Sequence, residues 1–177
     1  MHRTVWLALS YNVPINPSKV RVYVWRKLKE FGAEYLRQGV ALLPNSAQNF
    51  QQLSALAKRI RELGGEASLL EMRFTDPADE LAMTARFQKQ TQEEYAQLLA
   101  DCADALNRLR RPGALLTPKE GDRLRQVVKR YRRAQARDYF HAGTAAGEIE
   151  AGINEIIGSL RGMAADLGRQ LRSLMEG

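Results

Sequence analysis

Cations and a flat aromatic ring recur on one stripe of a predicted helix near the start of the chain. Arg21, Trp25 and Lys29 follow one another at intervals of four residues, which places them on the same helical face, and Arg26 lies beside them. Such a stripe can hold a phosphate through its cations and stack a base on its ring. The alternative is that Trp25 packs in a core or an interface between solvated charges, and the sequence leaves both interpretations open.

A second basic stretch lies between residues 119 and 137, where eight Lys or Arg accompany two Asp or Glu. The spacing of its apolar residues predicts a helix that buries Leu124, Val128 and Tyr131. The cations that this helix leaves largely outward are Arg125, Lys129, Arg132, Arg133 and Arg137. Because like charges repel, they need a polyanion or acidic neighbours within the fold, and both remain open. Arg37 joins the first group, and the two groups together are the candidate nucleic-acid or anion-binding residues.

Residues that carry catalysis in enzymes are sparse in this sequence. Cys102 lies on the apolar stripe of a predicted helix, where a small buried hydrophobe is expected rather than a nucleophile. Asp138 and His141 are spaced to face together, but a surface contact at a helix end fits them better than a metal site. There is no glycine-rich phosphate loop between a strand and a helix. We therefore predict no enzymatic activity, no cofactor and no metal.

The formal charge of +7 on 177 residues is unevenly distributed. Residues 1–74 carry eleven Lys or Arg against five Asp or Glu. Basic fields of this kind attract nucleic acid, acidic partners or anionic ligands, although an arginine-rich solvated surface is the alternative. No run of eighteen or more uncharged apolar residues occurs, the start does not resemble a signal peptide, and one cysteine cannot form an internal disulfide. These features predict a cytoplasmic protein without a membrane span.

Short apolar segments separated by Gly, Pro and Asn organise the first part of the chain. They predict a strand over Val5–Tyr11, a helix over 18–31, a hairpin of Ala33–Arg37 and Val40–Pro44, a helix ending at Gly64-Gly65, and a strand over Glu66–Phe74. The order β-α-β-β-α-β predicts a ferredoxin-like unit over residues 1–75.

Longer helical patterns follow in residues 76–177. One helix begins at Asp76-Pro77 and stops at Pro112-Gly113, and Thr117-Pro118-Lys119-Glu120 opens the next with a capping box. The last helix runs from about Thr144, with a coiled-coil-like seam from Ile149 to Leu167 that packs on the same chain or on a partner chain. The predicted fold class is α+β, a ferredoxin-like unit followed by a three-helix C-terminal half, with a homodimer as one outcome.

Several segments of the chain together form a recognisable pattern. They are Trp25-Arg26-Lys27-Leu28 and Phe31-Gly32-Ala33-Glu34-Tyr35-Leu36-Arg37-Gln38-Gly39-Val40-Ala41-Leu42-Leu43-Pro44, followed by Gly64-Gly65, Glu94-Tyr95 and Arg137-Asp138-Tyr139-Phe140. These segments resemble the N-terminal domain of ChrB, the bacterial chromate-resistance regulator. The resemblance implies a chromate-responsive transcriptional regulator, with operator DNA as a partner and chromate or a similar oxyanion as a candidate ligand. A looser similarity links the sheet unit to a domain of the phenylacetate-degradation repressor and to small CRISPR nucleases. Tyr11-Asn12 stands where the nucleases carry an aspartate, which argues against nuclease activity.

The leading hypothesis is therefore a regulatory, nucleic-acid-binding or oxyanion-sensing protein linked to chromate resistance. One alternative is a non-catalytic interaction or dimerisation module that acts through the C-terminal helices. The least supported alternative is an enzyme acting on chromate, because thiol cycling within one chain needs more than one cysteine.

Overall fold

The chain is a mixed α+β protein, described by a computed structural model over residues 4–14, 18–111, 114, 116–160 and 164–177. Its elements are β1 Trp6–Asn12, α1 Ser18–Phe31, β2 Glu34–Arg37, β3 Val40–Pro44, α2 Ala47–Glu62, β4 Glu66–Met72, α3 Pro77–Leu109, α4 Pro118–Ala136, α5 Ala145–Ser159 and α6 Ala165–Glu176. The fold consists of two compact units, a sheet unit of residues 1–87 and a helical unit of residues 88–177. The predicted boundary after residue 75 precedes α3, whose first turns belong to the sheet unit.

The sheet unit contains four antiparallel strands in the order β2-β3-β1-β4. β1 is buried on both faces, because the consecutive residues Trp6, Leu7, Ala8 and Leu9 are all buried and successive side chains of a strand point to opposite faces. The Trp6 ring packs against Phe74 and Phe87, with centroid distances of 5.8 and 5.6 Å. Helix α2 packs on β1 and β4, and α1 packs on α2.

The hairpin between β2 and β3 turns at Gln38-Gly39, as predicted from the glycine. Gly39 has φ +77°, a backbone conformation that residues with a Cβ rarely adopt. The Tyr11 N–H donates to the Gly39 carbonyl at 2.8 Å, so this turn is fastened to the end of β1. The register between the two strands shifts between Tyr35 and Arg37.

The helical unit has one apolar core, to which α3, α4, α5 and α6 all contribute. The predicted capping box of α4 is confirmed, because Thr117 Oγ1 accepts from the Glu120 N–H at 3.3 Å and Glu120 Oε2 accepts from the Thr117 N–H at 2.9 Å. The predicted stop of α3 at Pro112-Gly113 lies outside the described residues. None of the described helices is long and apolar enough to cross a membrane.

The prediction of a single last helix is wrong. α5 ends at Ser159 and α6 begins at Ala165, so the described residues contain four helices after β4 rather than three. Ala164 has φ −160° and ψ 72°, which is not helical, and Gly168 brings α6 close to the Ile157 carbonyl of α5. Five of the six seam residues that the sequence assigns to this helix are buried inside the unit's own core: Ile149, Ile153, Ile156, Leu160 and Leu167. The sixth, Met163, lies outside the described residues.

Candidate nucleic-acid interface

Helix α1 exposes the predicted stripe of cations and aromatic ring. Its apolar face buries Val20, Val24 and Leu28, and this leaves Arg21, Trp25 and Lys29 on the exposed side. The side chain of Trp25 is 49% exposed, so the alternative of a core tryptophan is wrong. Lys29 Nζ lies 5.1 Å from the centroid of the Trp25 ring, a cation–π contact.

Arg21 and Trp25 line a groove together with the end of β1 and the β2–β3 hairpin, and we call it the aromatic groove. The residues of interest along it are Tyr11, Asn12, Arg21, Trp25, Tyr35 and Gln38. The hydroxyls of Tyr11 and Tyr35 are hydrogen-bonded at 2.9 Å. Burial, and then the contact with Tyr11, raises the pKa of Tyr35, so its phenol stays neutral at physiological pH.

The two tyrosines of the groove were missed by sequence reasoning, because their contact depends on an irregularity in the pairing of β2 with β3. Tyr11 lies two residues after Leu9, on the same face of β1. Leu9 pairs with Ala41, and Ala41 pairs with Tyr35. This face is shared only because of the register shift, since an unbroken two-residue hairpin at Gln38-Gly39 would pair Tyr35 with Leu42 and turn it to the other face of the sheet.

Two other predicted residues of the first group lie elsewhere in the sheet unit. Arg37 follows the register shift and lines a separate groove with Arg73, Asp76 and Asp79. Arg26 is exposed on a neighbouring strip of α1. The structure thus brings together Arg21, Trp25 and Lys29, but does not bring Arg37 to them.

In the helical unit, α4 places three cations around a second groove. Lys129, Arg132 and Arg133 line it together with Leu174 and Gly177 of the chain's last residues, and we call it the α4–α6 groove. Arg132 donates to Gln135 Oε1 at 3.4 Å. Within the described part of the chain, none of the three cations forms an ion pair. Among the described residues, no carboxylate therefore neutralises these three charges through an ion pair.

The other two cations of α4 have partners. Arg125 pairs with Asp122 at 2.7 Å and donates to Gln170 Oε1. Arg137 does not point outward as predicted, because its side chain is only 21% exposed and its Nη2 donates to both carboxylate oxygens of Glu94 at 2.7 Å. For Arg125 and Arg137 the alternative of acidic neighbours is correct.

Arg137 belongs to a set of contacts that fastens the segment after α4 to α3, and we call it the α3–loop clamp. The hydroxyl of the buried Tyr95 donates to Asp138 Oδ2 at 3.1 Å, and Asp138 Oδ1 accepts from the Ala142 N–H at 2.8 Å. Burial, and then the Asp138 carboxylate, raises the pKa of Tyr95. Glu94-Tyr95 and Arg137-Asp138, which the sequence presents as separate motifs, are thus the two sides of one contact.

The residues weighed for catalysis or metal binding are Cys102, Asp138 and His141. Cys102 is buried in the helical core as predicted, and burial, helped by Asp101, raises the pKa of its thiol to about 11. His141 is exposed, with a φ of 50°, while Asp138 is engaged in the clamp. Among the described residues, no group of three or more His, Cys, Asp or Glu could hold a metal ion.

Comparison with known proteins places these features in a family. The family model for the N-terminal part of protein ChrB matches residues 21–167. Protein ChrB of Cupriavidus metallidurans is 32% identical over 106 residues, which cover 60% of this chain and 32% of that protein. The chain thus spans about a third of the length of this curated relative, and no solved structure matches it significantly. Because the family model covers most of the chain, including α4 and both sides of the α3–loop clamp, the protein belongs to the ChrB family and corresponds to its N-terminal part.

Proposed function

We propose that this protein is a chromate-resistance-associated regulator that binds DNA in the bacterial cytoplasm. The observation that carries the proposal is the cluster of Lys129, Arg132 and Arg133, which line one groove without an ion pair among the described residues. The link to chromate and to transcription is supported by the resemblance to the ChrB regulator family.

The cation cluster suits a phosphate backbone because of its spacing along α4. Arg132 and Arg133 lie one turn beyond Lys129, so three cations converge within two turns of a helix. Each phosphate contact releases condensed counterions, and the logarithm of the binding constant falls with the logarithm of salt concentration by about 0.9 per contact on duplex DNA. Three contacts predict a contribution of about 2.7 to that slope.

We also propose that the sheet unit has the ferredoxin-like arrangement. The strand order β2-β3-β1-β4, the antiparallel pairing throughout, and the helices after β1 and β3 support this assignment. In such a unit the helices lie on one side of the sheet, and α1 would then carry its cations on that side.

The experiment is a gel shift with duplex DNA from the region upstream of the gene, at several salt concentrations. The variant Lys129→Gln/Arg132→Gln/Arg133→Gln should weaken binding and lower the salt slope by about 2.7. The control, Arg59→Gln/Arg108→Gln/Arg125→Gln, removes the same charge from residues that are ion-paired to Glu62, Asp104 and Asp122. Equal losses in the two variants, or no shift by wild type at low salt, would contradict the proposal.

Chromate as an effector is tested in the same assay. A tetrahedral dianion requires several charge-assisted donors, and arginine forks provide them. Chromate should change the gel shift at constant ionic strength, whereas sulfate, a dianion of the same shape, should not. An identical response to the two anions would assign the effect to any tetrahedral dianion and would remove the role in sensing chromate.

A further inference from the structure

The aromatic groove of the sheet unit differs chemically from the other grooves in the described residues. Three rings contribute to it, those of Tyr11, Trp25 and Tyr35, and Arg21 supplies a cation. Its lining contains no Asp or Glu among the residues that the structure describes, whereas carboxylates line the groove beside Arg37 and the groove between α3 and α4. The α4–α6 groove has cations but no aromatic ring. The chemistry of the aromatic groove therefore suits a ligand that is both planar and anionic.

Local packing holds the rings of this groove in place. Val24 and Leu28 are fully buried on the neighbouring face of α1, so the turn that carries Trp25 is anchored in the core. The hydrogen bond between the Tyr11 and Tyr35 hydroxyls joins β1 to β2 at this end of the sheet. A Cβ at Gly39 would lie 2.9 Å from the Tyr11 carbonyl oxygen, so the turn and the strand end are in close contact. Such a preformed surface loses little freedom when a ligand binds.

The positive charge of Arg21 indicates that the ligand of the aromatic groove also carries an anionic group. Arg21 makes no ion pair within the described residues, and the first turn of α1 contains no acidic residue. The side chains of Asn12 and Gln38 add amide donors and acceptors beside the rings. A guanidinium suits a phosphate, aromatic faces suit a base, and amides suit the edge of a base.

We propose that the aromatic groove binds an unpaired nucleobase together with its neighbouring phosphate. The base stacks on Trp25, and Arg21 holds the phosphate. A duplex presents its bases stacked and paired, so the expected ligand is a single-stranded segment or a free nucleotide. This proposal rests on the proposed nucleic-acid binding in general, but it uses residues that are separate from the α4–α6 groove.

Tryptophan fluorescence gives a direct readout, because the chain has two tryptophans and Trp6 is fully buried while Trp25 is half exposed. The probes are a dodecamer of thymidylate, thymidine monophosphate and a twelve-base-pair duplex. The dodecamer should quench the emission of Trp25, and Trp25→Phe should abolish the quenching while a ring is retained. Trp25→Leu should weaken dodecamer binding about 5- to 150-fold, the range that loss of one stacked base implies.

Two further variants test the assigned roles. Arg21→Gln should weaken dodecamer binding and lower its salt slope by about 0.7, the value for one contact with a single strand. Tyr23→Leu is the matched control, since Tyr23 is also an exposed aromatic residue of α1 but does not line the groove. It should bind like wild type. An equal loss in Tyr23→Leu and Trp25→Leu would overturn the proposal.

The three probes separate this proposal from the proposed regulatory function. Quenching by thymidine monophosphate as well as by the dodecamer would assign the groove to free nucleotides, and quenching by the dodecamer alone would assign it to single strands. If the duplex is shifted in gels but neither single-stranded probe quenches Trp25, the groove proposal fails and the DNA-binding proposal stands. If the dodecamer quenches Trp25 but no duplex is shifted, the groove proposal stands and the proposal of duplex binding fails.

Discussion

Removing one hydroxyl from the α3–loop clamp should destabilise the helical unit measurably. Tyr95 is fully buried, and its hydroxyl donates to Asp138 Oδ2 at 3.1 Å. Tyr95→Phe retains the packed ring and removes only the hydrogen bond. A hydrogen bond to a charged group contributes about 1.5–3 kcal/mol, so we expect the free energy of unfolding to fall by about 2 kcal/mol. In a unit of about 90 residues this lowers Tm by roughly 8–16 °C.

A second buried tyrosine provides the matched comparison. The hydroxyl of Tyr131, which is 1% exposed, donates to the Ala146 carbonyl at 3.2 Å. This acceptor is neutral, but the Glu150 carboxylate also acts on the hydroxyl, so the comparison is made in a Glu150→Gln background, where Tyr131→Phe should cost about 1 kcal/mol. The difference between the two variants measures the contribution of the Asp138 charge.

Urea unfolding followed by circular dichroism at 222 nm provides the free energies, and a double-mutant cycle with Asp138→Asn provides the coupling between the two side chains. The raised pKa of Tyr95 gives the pH dependence its sign. Its stabilising contribution is fully present below the ordinary tyrosine pKa of about 10, and is lost as pH rises through the folded-state pKa. Equal costs for Tyr95→Phe and Tyr131→Phe, or coupling below about 0.5 kcal/mol, would refute the assignment.

Three further changes have defined expected outcomes. Gly65→Ala should lower the free energy of unfolding by about 3 kcal/mol, because the added Cβ would lie 2.7 Å from a backbone carbonyl oxygen. Gly64→Ala should lower it by about 1 kcal/mol, because Gly64 has φ +81° but open space around it. The midpoints of urea unfolding compare the two variants. Hydrogen bonds from Thr117 lower the pKa of Glu120, so its stabilising contribution is present above the ordinary glutamate pKa of about 4.3 and is lost as pH falls through the folded-state pKa. Thermal melts from pH 7 to pH 3 should show this loss in wild type and not in Glu120→Gln. Cys102, with a thiol pKa of about 11, should react with Ellman's reagent at pH 8 at least about 100-fold more slowly in the folded protein than in urea.

Local signals were sufficient for the elements of the sheet unit. The helix predicted over 18–31 is α1, and the strand predicted over Val40–Pro44 is β3. Both are bounded by residues whose effect on the backbone is local, such as Gly39 in its left-handed conformation. The capping box at Thr117 was predictable for the same reason, since its partners are three residues apart.

The break between α5 and α6 was not predictable from periodicity. The apolar spacing from Ile149 to Leu167 reports which side chains are buried, and every seam position within the described residues is buried. It does not report whether the backbone between them is a single helix. The break depends on the extended backbone of Ala164 and on the approach of Gly168 to α5, which are tertiary features.

The candidate interfaces show the same division between local and tertiary information. Helical spacing correctly placed Arg21, Trp25 and Lys29 on one exposed stripe. It could not identify the partner of Arg137, because Glu94 lies 43 residues away along the chain. The contact between Tyr11 and Tyr35 likewise depends on strands that meet through β3.

Ion pairing within the described fold separates the cations of α4 that we propose as contacts for a polyanion from Arg125 and Arg137, which have acidic partners. A phosphate that approaches Arg137 must displace a carboxylate held by two hydrogen bonds of 2.7 Å, and would leave Glu94 without its counter-charge. A phosphate that approaches Lys129 or Arg133 displaces water and releases counterions, with no ion pair broken among the described residues. Arg137 contributes to the α3–loop clamp, whereas we propose anion binding for Lys129, Arg132 and Arg133, which form no ion pair within the described fold.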